Sequence, residues 1–364
     1  MESLGVTKML FQNFIKGKKI FITGHTGFKG SWLCHVLNHF DSKIYGFSLP
    51  PQKKSHFTVS QTEQLLTHNI GDITDYHQLD AAMRSAAPDI VIHMAAQPLV
   101  RYSYDNPIET FRTNVMGTTN VLASALNLQK KPLVACITSD KCYENLERDE
   151  PYNETDRLGG HDPYSASKGA SELVIASFAK SFYKKTNQPI VSLRGGNVIG
   201  GGDWSPDRIM TDIVSALVNS QRPVIRSPLA IRPWQHILDV LAGYLSTIEY
   251  TSRTETPWFE QFNIGPNKHN QATVDALARM ACHIWGGGIV PKTETSEPTM
   301  HEAKLLKLDI SKALSSLDWY PRLNLQSTVS RTLEWYKAES RQDDMETFTR
   351  KQINDYFTIE KSKL

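Results

Sequence analysis

The chain has 364 residues, with 40 basic and 38 acidic side chains, a formal net charge of +2 and 40% hydrophobic residues. That apolar share with balanced charge excludes global disorder, and the near-zero net charge excludes a dedicated nucleic-acid binder, which carries a basic excess. No apolar run approaches the ~20 residues of a membrane span, and the first residues alternate apolar with polar, unlike a secretory signal.

Strand-like and helix-like segments alternate from about residue 18. Lys19–Thr23 is a short β-rich run. Phe28, Trp32, Leu33, Val36, Leu37 and Phe40 then recur at helical spacing. Ile44–Phe47, Asp89–Met94, Leu133–Ile137 and Pro189–Leu193 read as further strands. Helical patterns at 75–86, 106–128 and 163–186 separate them. This alternation predicts right-handed βαβ crossovers, hence an α/β fold with a doubly wound parallel sheet. After about residue 196 turn-rich stretches take over, which predicts a smaller mixed α/β lobe. The expected division is a dinucleotide-binding domain over 1–195, with returning segments near 236–265, and a lobe from 196–235 and 266–364. The charged last twenty-odd residues read as a solvated helix or a frayed tail.

Between the first strand and first helix lies Thr23-Gly24-His25-Thr26-Gly27-Phe28-Lys29-Gly30. Glycines at this spacing allow a tight turn, bring backbone N–H groups near a pyrophosphate and let the helix pack close to the strand. The spacing is G-x-x-G-x-x-G. It predicts a dinucleotide site at Gly24, His25, Gly27, Phe28 and Gly30. An acidic residue for the NAD ribose would fall near Ser48, yet no Asp or Glu occurs from Ser42 to Thr62. NAD and NADP both stay open on this feature. Lys29 is either a solvated surface lysine or a cation beside a phosphate. Asp72, in Gly71-Asp72-Ile73 after the third strand, is either an acceptor for the adenine amino group or a turn aspartate.

The second signal is Tyr164-Ser165-Ala166-Ser167-Lys168. Tyr164 and Lys168, four apart, share one helix face. A free phenol titrates at about 10, too high for a base at neutral pH. A nearby ammonium or an oxidised nicotinamide ring favours the phenolate. The strand ending in Thr138-Ser139-Asp140-Lys141 precedes this helix, so Ser139 is expected to face Tyr164.

With these motifs in hand, the sequence resembles the extended short-chain dehydrogenase/reductase family over nearly its whole length. The resemblance rests on the glycine loop, the run His93-Met94-Ala95-Ala96-Gln97, Asn114 and the Ser139/Tyr164/Lys168 set. It implies NAD as cofactor, a cleft lined by Ala95, Ala96 and Gln97 with Asp72 and Ile73, and an active-site helix supported by Asn114. Asp140, directly after Ser139, resembles the acid of the nucleotide-sugar 4,6-dehydratases, which the sugar epimerases lack. Many dehydratases carry Asp-Glu there; this chain has Asp140-Lys141, which leaves the base for the sugar C5 proton open. The run from Thr138 to Tyr143, with GHTGFKG, HMAAQPLVR, GNVIGGGDW and IRPWQH, is most similar to the dehydratases acting on CDP-glucose.

The resemblance implies that Tyr164 takes the 4-hydroxyl proton while hydride passes to NAD, and that Asp140 assists loss of water from C6. Lys141 acts either as base or as substrate anchor. In the lobe it places Asn197, Arg208 and Arg232 against the substrate diphosphate, two guanidinium forks suiting a dianion. Trp204 and Trp234 either stack on the base or pack in the core. The resemblance further implies pairing through the helices at 106–128 and 163–186, as a homodimer or homotetramer, and a role in bacterial deoxysugar and cell-surface polysaccharide synthesis. His236 is expected to be structural. Cys34, Cys136, Cys142 and Cys282 have no zinc or disulfide spacing and fit a reducing cytoplasm. His301-Glu302 lacks a third ligand, so no metal is expected.

Overall fold

A computed structural model describes residues 9–253, 258–294 and 305–358. The chain opens with α1 (Phe11–Ile15), β1 (Lys19–Thr23), α2 (Phe28–His39), β2 (Lys43–Ser48), α3 (His56–Val59), β3 (Thr67–Ile70), α4 (Tyr76–Ala86) and β4 (Ile90–His93). Next come α5 (Val100–Asp105), α6 (Pro107–Phe111), α7 (Gly117–Asn127), β5 (Leu133–Ile137), α8 (Pro163–Ser181) and β6 (Ile190–Gly195). The less regular part adds β7 (Val198–Ile199), α9 (Ile209–Val218), β8 (Val224–Ile225), β9 (Ile231–Pro233) and β10 (Gln235–His236). It is followed by α10 (Ile237–Thr251), β11 (Phe259–Ile264), β12 (Gln271–Thr273), α11 (Val274–Trp285), β13 (Lys292–Thr293), α12 (Ser311–Ser316), α13 (Leu325–Ser340) and α14 (Met345–Phe357).

Seven strands form one parallel sheet in the order β11-β6-β5-β4-β1-β2-β3. The strand interiors are apolar on both faces because helices cover both. Ile20, Ile22, Ile90, Ile92 and Ala135 join one core with Trp32, Leu33 and Val36 of α2 and the apolar residues of α10 from Ile237 to Ile248. Phe21, Val91 and Val134 point the other way, onto Leu79 and Met83 of α4, Val121 and Leu122 of α7 and Ile175 of α8. The alternation along each strand thus divides the molecule into two apolar layers.

Two of the predicted helices form with side-chain caps at their starts. Asp75 accepts from Gln78 N (3.1 Å) at the start of α4, and Ala87 closes that helix in the left-handed region at φ 43°. Asp162 accepts from Ser165 N (2.9 Å), with Pro163 at the first helical position of α8. The helix predicted over 106–128 is instead α6 and α7 joined by a wide π-type turn at Arg112–Met116. The C-terminal segment differs more from expectation. α14 is docked, burying Met345, Ile353, Tyr356 and Phe357, an apolar stripe at helical spacing hidden among its charges. The Phe357 ring lies edge-on to Phe40 (4.9 Å) and Phe11 (6.0 Å).

Register aligns the carboxyl ends of the central strands: Thr23 sits opposite Phe47 and His93, His93 opposite Cys136, and Ile137 opposite Leu193. The strand order reverses between β1 and β4. A cleft opens outside those ends, where such sheets receive ligands.

Candidate active site

The cleft has a volume of about 1910 Å³, roughly twice the upper end of ordinary single-ligand pockets at ~1,000 Å³. One wall is the carboxyl edge of the sheet. There Gly24 adopts φ +80°, and a Cβ on it would lie 2.7 Å from Ala95 N. A Cβ on Gly30 would fall 2.2 Å from Gly24 O. Only glycine allows this contact between loop, helix and neighbouring strand. Gly27 caps α2 without any side chain, so the positive end of that helix is presented to the cleft. Gly24, Gly27, Phe28, Lys29, Gly30, Asp72, Ile73, Ala95 and Ala96 all line the cavity.

His25 and Gln97, expected there as well, do not; nor does Asn114, counted with the cofactor residues and expected to support the active-site helix, which it does from behind the cleft. His25 is buried behind the loop, 2.6 Å from His68 Nδ1 and edge-on to Phe57. Burial pushes it down to about 3, so it is neutral. Asn114 accepts from Gln97 N (2.8 Å) and donates to Gln97 O (3.1 Å) and Ser167 Oγ (2.8 Å). The Gln97 side chain turns to Thr110 and to Leu99 N. These polar groups brace the strand end against α8 from behind.

Ser139, Asp140, Lys141, Tyr164 and Lys168 meet in the cleft. β5 ends at Ile137, and Ser139 caps the single 3-10 turn Asp140–Cys142 by accepting from Lys141 N (3.2 Å). Its hydroxyl donates to Asp140 Oδ1 (2.9 Å) and lies beside the Tyr164 phenol, whose ionised form it favours. Asp140 is only 4% exposed, and burial pushes its carboxyl up against the pull of Lys141, Ser139, Arg232 and Lys29. Burial also pushes Tyr164 up to about 12, with Ser139 opposing. Lys168 stands 6.0 Å from the Tyr164 ring centre and is pushed down to about 8, by burial first and by Lys29 second. Lys29 is lowered to about 8 as well, by burial and then Arg208, so it is an enclosed cation of the cleft and not a surface lysine. Held in this way, the set contains a hydroxyl, a phenol, a carboxyl whose pKa burial raises and the side chains of three lysines, Lys29, Lys141 and Lys168.

The opposite wall is irregular. Asn197, Trp204, Arg208, Arg232 and Trp234 line it. Arg208 pairs with Asp203 (3.3 Å) at the start of α9. Trp204 packs edge-on to Trp335 (5.7 Å) and Tyr336 (5.8 Å), with the Lys54 ammonium 4.7 Å over its ring. Trp234 is buried and donates to Ala272 O (3.3 Å). His236 is buried and caps α10 by accepting from Leu238 N (3.2 Å), as expected of a structural residue. Arg101 and Asp207 pair across the two walls (3.0 Å); sequence reasoning quoted the run containing Arg101 without assigning it. Among the described residues no cluster of His, Cys, Asp and Glu suits a metal ion, all four cysteines are buried and free, and no helix is long and apolar enough to cross a membrane. His301-Glu302 lies outside the described residues.

A dinucleotide-binding α/β scaffold with a Ser-Tyr-Lys cluster and an added acid is the class that this geometry defines. The family described as GDP-mannose 4,6 dehydratase matches residues 21–332. A CDP-glucose 4,6-dehydratase of Salmonella typhimurium is 42% identical over 96% of this chain and 99% of its own. A dTDP-glucose 4,6-dehydratase of Escherichia coli is 25% identical over 89% of this chain and 94% of its own. Among solved structures, a UDP-glucose-4-epimerase of Stenotrophomonas maltophila with bound NAD has a TM-score of 0.77 at 20% identity, covering 89% of this chain and 99% of that one. The chain belongs to the matched family, an NAD-dependent group of dehydratases and epimerases.

Proposed function

We propose that the protein is an NAD-dependent CDP-glucose 4,6-dehydratase that forms CDP-4-keto-6-deoxyglucose. The observation that carries this reading is Asp140, a buried carboxyl pushed towards its neutral form directly beside Ser139 and within the Tyr164–Lys168 cluster. An epimerase has no use for an acid at that point, whereas elimination of water needs a proton donor. The cytidine assignment follows the 42% identical relative.

The residues present fit NAD. The glycine cradle leaves no room for side chains, and the uncapped helix end faces the cleft. Gly24, Gly27, Phe28, Lys29 and Gly30 would hold its pyrophosphate, and Asp72, Ile73, Ala95 and Ala96 would line its length. When bound there, NAD would supply the hydride-accepting and hydride-donating chemistry between C4 and C6. Tyr164, whose phenol the enclosed site alone holds protonated, would act as base for the sugar 4-hydroxyl once a positively charged nicotinamide ring stands beside it, with Ser139 and the Lys168 ammonium stabilising the phenolate. The 4-keto group acidifies the proton at C5; Lys141 of the Asp140 loop lines the same cleft and, as its free amine, would take that proton and give it back to C5 once hydride has reached C6. Asp140 protonates the departing C6 hydroxyl. Asn197, Arg208 and Arg232 would bind the diphosphate, and Trp204 would flank the nucleotide end.

Two copies would pair through the helices around α6 and α8, where Ile108, Phe111, Met116, Leu173 and Phe182 are exposed. The test of function is incubation with CDP-glucose, and with dTDP-glucose, UDP-glucose and GDP-mannose in parallel, read by mass spectrometry. The expected product is CDP-glucose lighter by one water, formed without added reductant. Water loss from a different sugar nucleotide would overturn the cytidine assignment, and an isomeric product would overturn the dehydratase.

A further inference from the structure

Tyr164, Lys168 and Glu172 lie at i, i+4 and i+8 on α8, one face of one helix. Glu172 does not line the cleft. It is 1% exposed, and a carboxylate so deeply buried persists only where partners compensate it. Its Oε2 accepts from Arg194 Nη2 (2.8 Å). Its Oε1 accepts from Thr138 Oγ1 (2.5 Å) and from the Ser192 hydroxyl. Those donors come from different segments of the site. Thr138 directly precedes Ser139 and Asp140. Arg194 is the last residue but one of β6, and Gly195, Gly196 and Asn197, which follow it, line the cleft. Arg194 also donates to the Tyr143 hydroxyl (2.9 Å), just beyond the Asp140–Cys142 turn, and that hydroxyl donates to Asn263 of β11 (2.7 Å).

We infer that Glu172 is a positioning residue of the reaction: one buried carboxylate fixes α8, the Ser139–Asp140 strand end and the β6 exit to one another, and places a negative charge one turn behind Lys168. This rests on the dehydratase reading, since it assigns Glu172 a part in the chemistry of Tyr164, Lys168 and Asp140. The surroundings of Lys168 give the charge its weight. Lys29 faces it from α2, His93 from β4, Cys136 from β5 and Cys142 from the turn, with Tyr164 and Glu172 on its own helix. His93 is neutral, pushed down to about 3 by burial, and burial keeps both thiols protonated. The phenol of Tyr164 is likewise held protonated in the resting site. Within this group Lys29 opposes the Lys168 ammonium and Glu172 supports it.

The test uses the full-length enzyme with NAD and three variants. Thr138→Val and Ser192→Ala each remove one hydroxyl from the same carboxylate oxygen, but only Thr138 leads into the catalytic strand end. The expected result is a kcat fall of about ten- to a hundredfold for Thr138→Val with KM nearly unchanged, and wild-type kcat for Ser192→Ala. Equal kcat for both would reduce Glu172 to a structural role. In Glu172→Gln, the pH at which the Lys168 amine titrates, read by acetic anhydride labelling and peptide mass spectrometry, is expected to drop below that of the wild type. An unmoved midpoint would overturn the electrostatic half of the inference. The labelling needs no turnover, so it stands if wild-type enzyme leaves CDP-glucose unchanged, a result that would instead defeat the dehydratase reading. If Glu172→Gln does not fold, because Arg194 is left buried and unpaired, the double variant Glu172→Gln/Arg194→Gln supplies the charge arm: it removes both members of the buried pair, and the same midpoint is expected to drop, since Glu172 and not Arg194 is among the groups that set Lys168.

Discussion

The two walls of the cleft are built by different physics. The sheet wall is made of strand ends whose register is set by backbone hydrogen bonds, with glycines where the chain must come close to itself. The lobe wall from Asn197 to Trp234 contributes only short strands, and side chains from distant parts of the chain hold it. Tyr336 both donates to Asp203 O (2.7 Å) and accepts from Asp203 N (3.0 Å). Trp32 of α2 donates to Gly201 O (2.8 Å). A Cβ on Gly201 would lie 2.0 Å from the Trp335 ring, so the loop lies flat on that indole. A regular wall can carry groups that must hold position during bond breaking. A wall held by aromatic anchors can be reshaped for a different nucleotide without disturbing the sheet.

If that division is right, changes on the sheet wall should alter chemistry and spare stability. Tyr164→Phe removes one hydroxyl from a helix that keeps its caps and its packing. The expected loss in kcat is about 10²- to 10⁴-fold, with the melting temperature nearly unchanged and NAD still bound, checked by calorimetry and by quenching of protein fluorescence. Retention of more than a tenth of the wild-type rate would show that the phenol is not the acid/base and would break the comparison at its firmest point.

On the lobe wall the order of effects should reverse. Trp335 is fully buried, donates to Thr349 Oγ1 (3.0 Å) and supports both the Gly201 loop and Trp204. Trp335→Ala is expected to cost about 3–5 kcal/mol of stability, measured by urea denaturation. In the protein that remains folded, KM should rise more than kcat falls, because the catalytic set stands on the other wall. A kcat loss comparable to that of Tyr164→Phe would mean that the walls are not separable.

The same contrast explains what could be read from the sequence. Parallel strands buried on both faces are continuous apolar runs, and the Tyr164–Lys168 spacing is a local helical signal, so the sheet and its chemical groups were legible. His25, Gln97 and Asn114 matched their motif positions, yet their side chains turn away from the cleft to other buried polar groups. Direction of that kind depends on partners 13 to 53 residues away. The docking of α14 was hidden because its apolar stripe is interleaved with charges. Glu172 was equally silent: its donors lie at 138, 192 and 194, and nothing local marks a glutamate on a helix as buried. The Tyr164 titration also depended on what surrounds it. Spacing pointed to a phenol eased by Lys168, whereas the enclosed site pushes it up to about 12 and lowers Lys168 itself.

The smallest effect should come from the Arg101–Asp207 ion pair, which joins the two walls of the cleft. Arg101, on α5 of the sheet side, donates to Asp207, just before α9 on the lobe side (3.0 Å). Both side chains are nearly half exposed, at 49% and 43%, so water and salt screen them. Exposed pairs of this kind contribute little to stability. Asp207→Asn should leave the melting temperature and kcat as they are. Any change belongs in KM for the sugar nucleotide, since the partner freed is a guanidinium lining the entrance to a site for a dianion. KM should change by no more than about fivefold, the ratio that corresponds to ~1 kcal/mol. It should change downward, because Arg101 no longer has a carboxylate competing with the diphosphate, and the difference should shrink as salt is raised. Measuring KM for both proteins at low and at high salt decides it. A rise in KM that persists at high salt would mean that the pair holds the two walls in register, and the lobe would then depend on the sheet for more than its aromatic anchors.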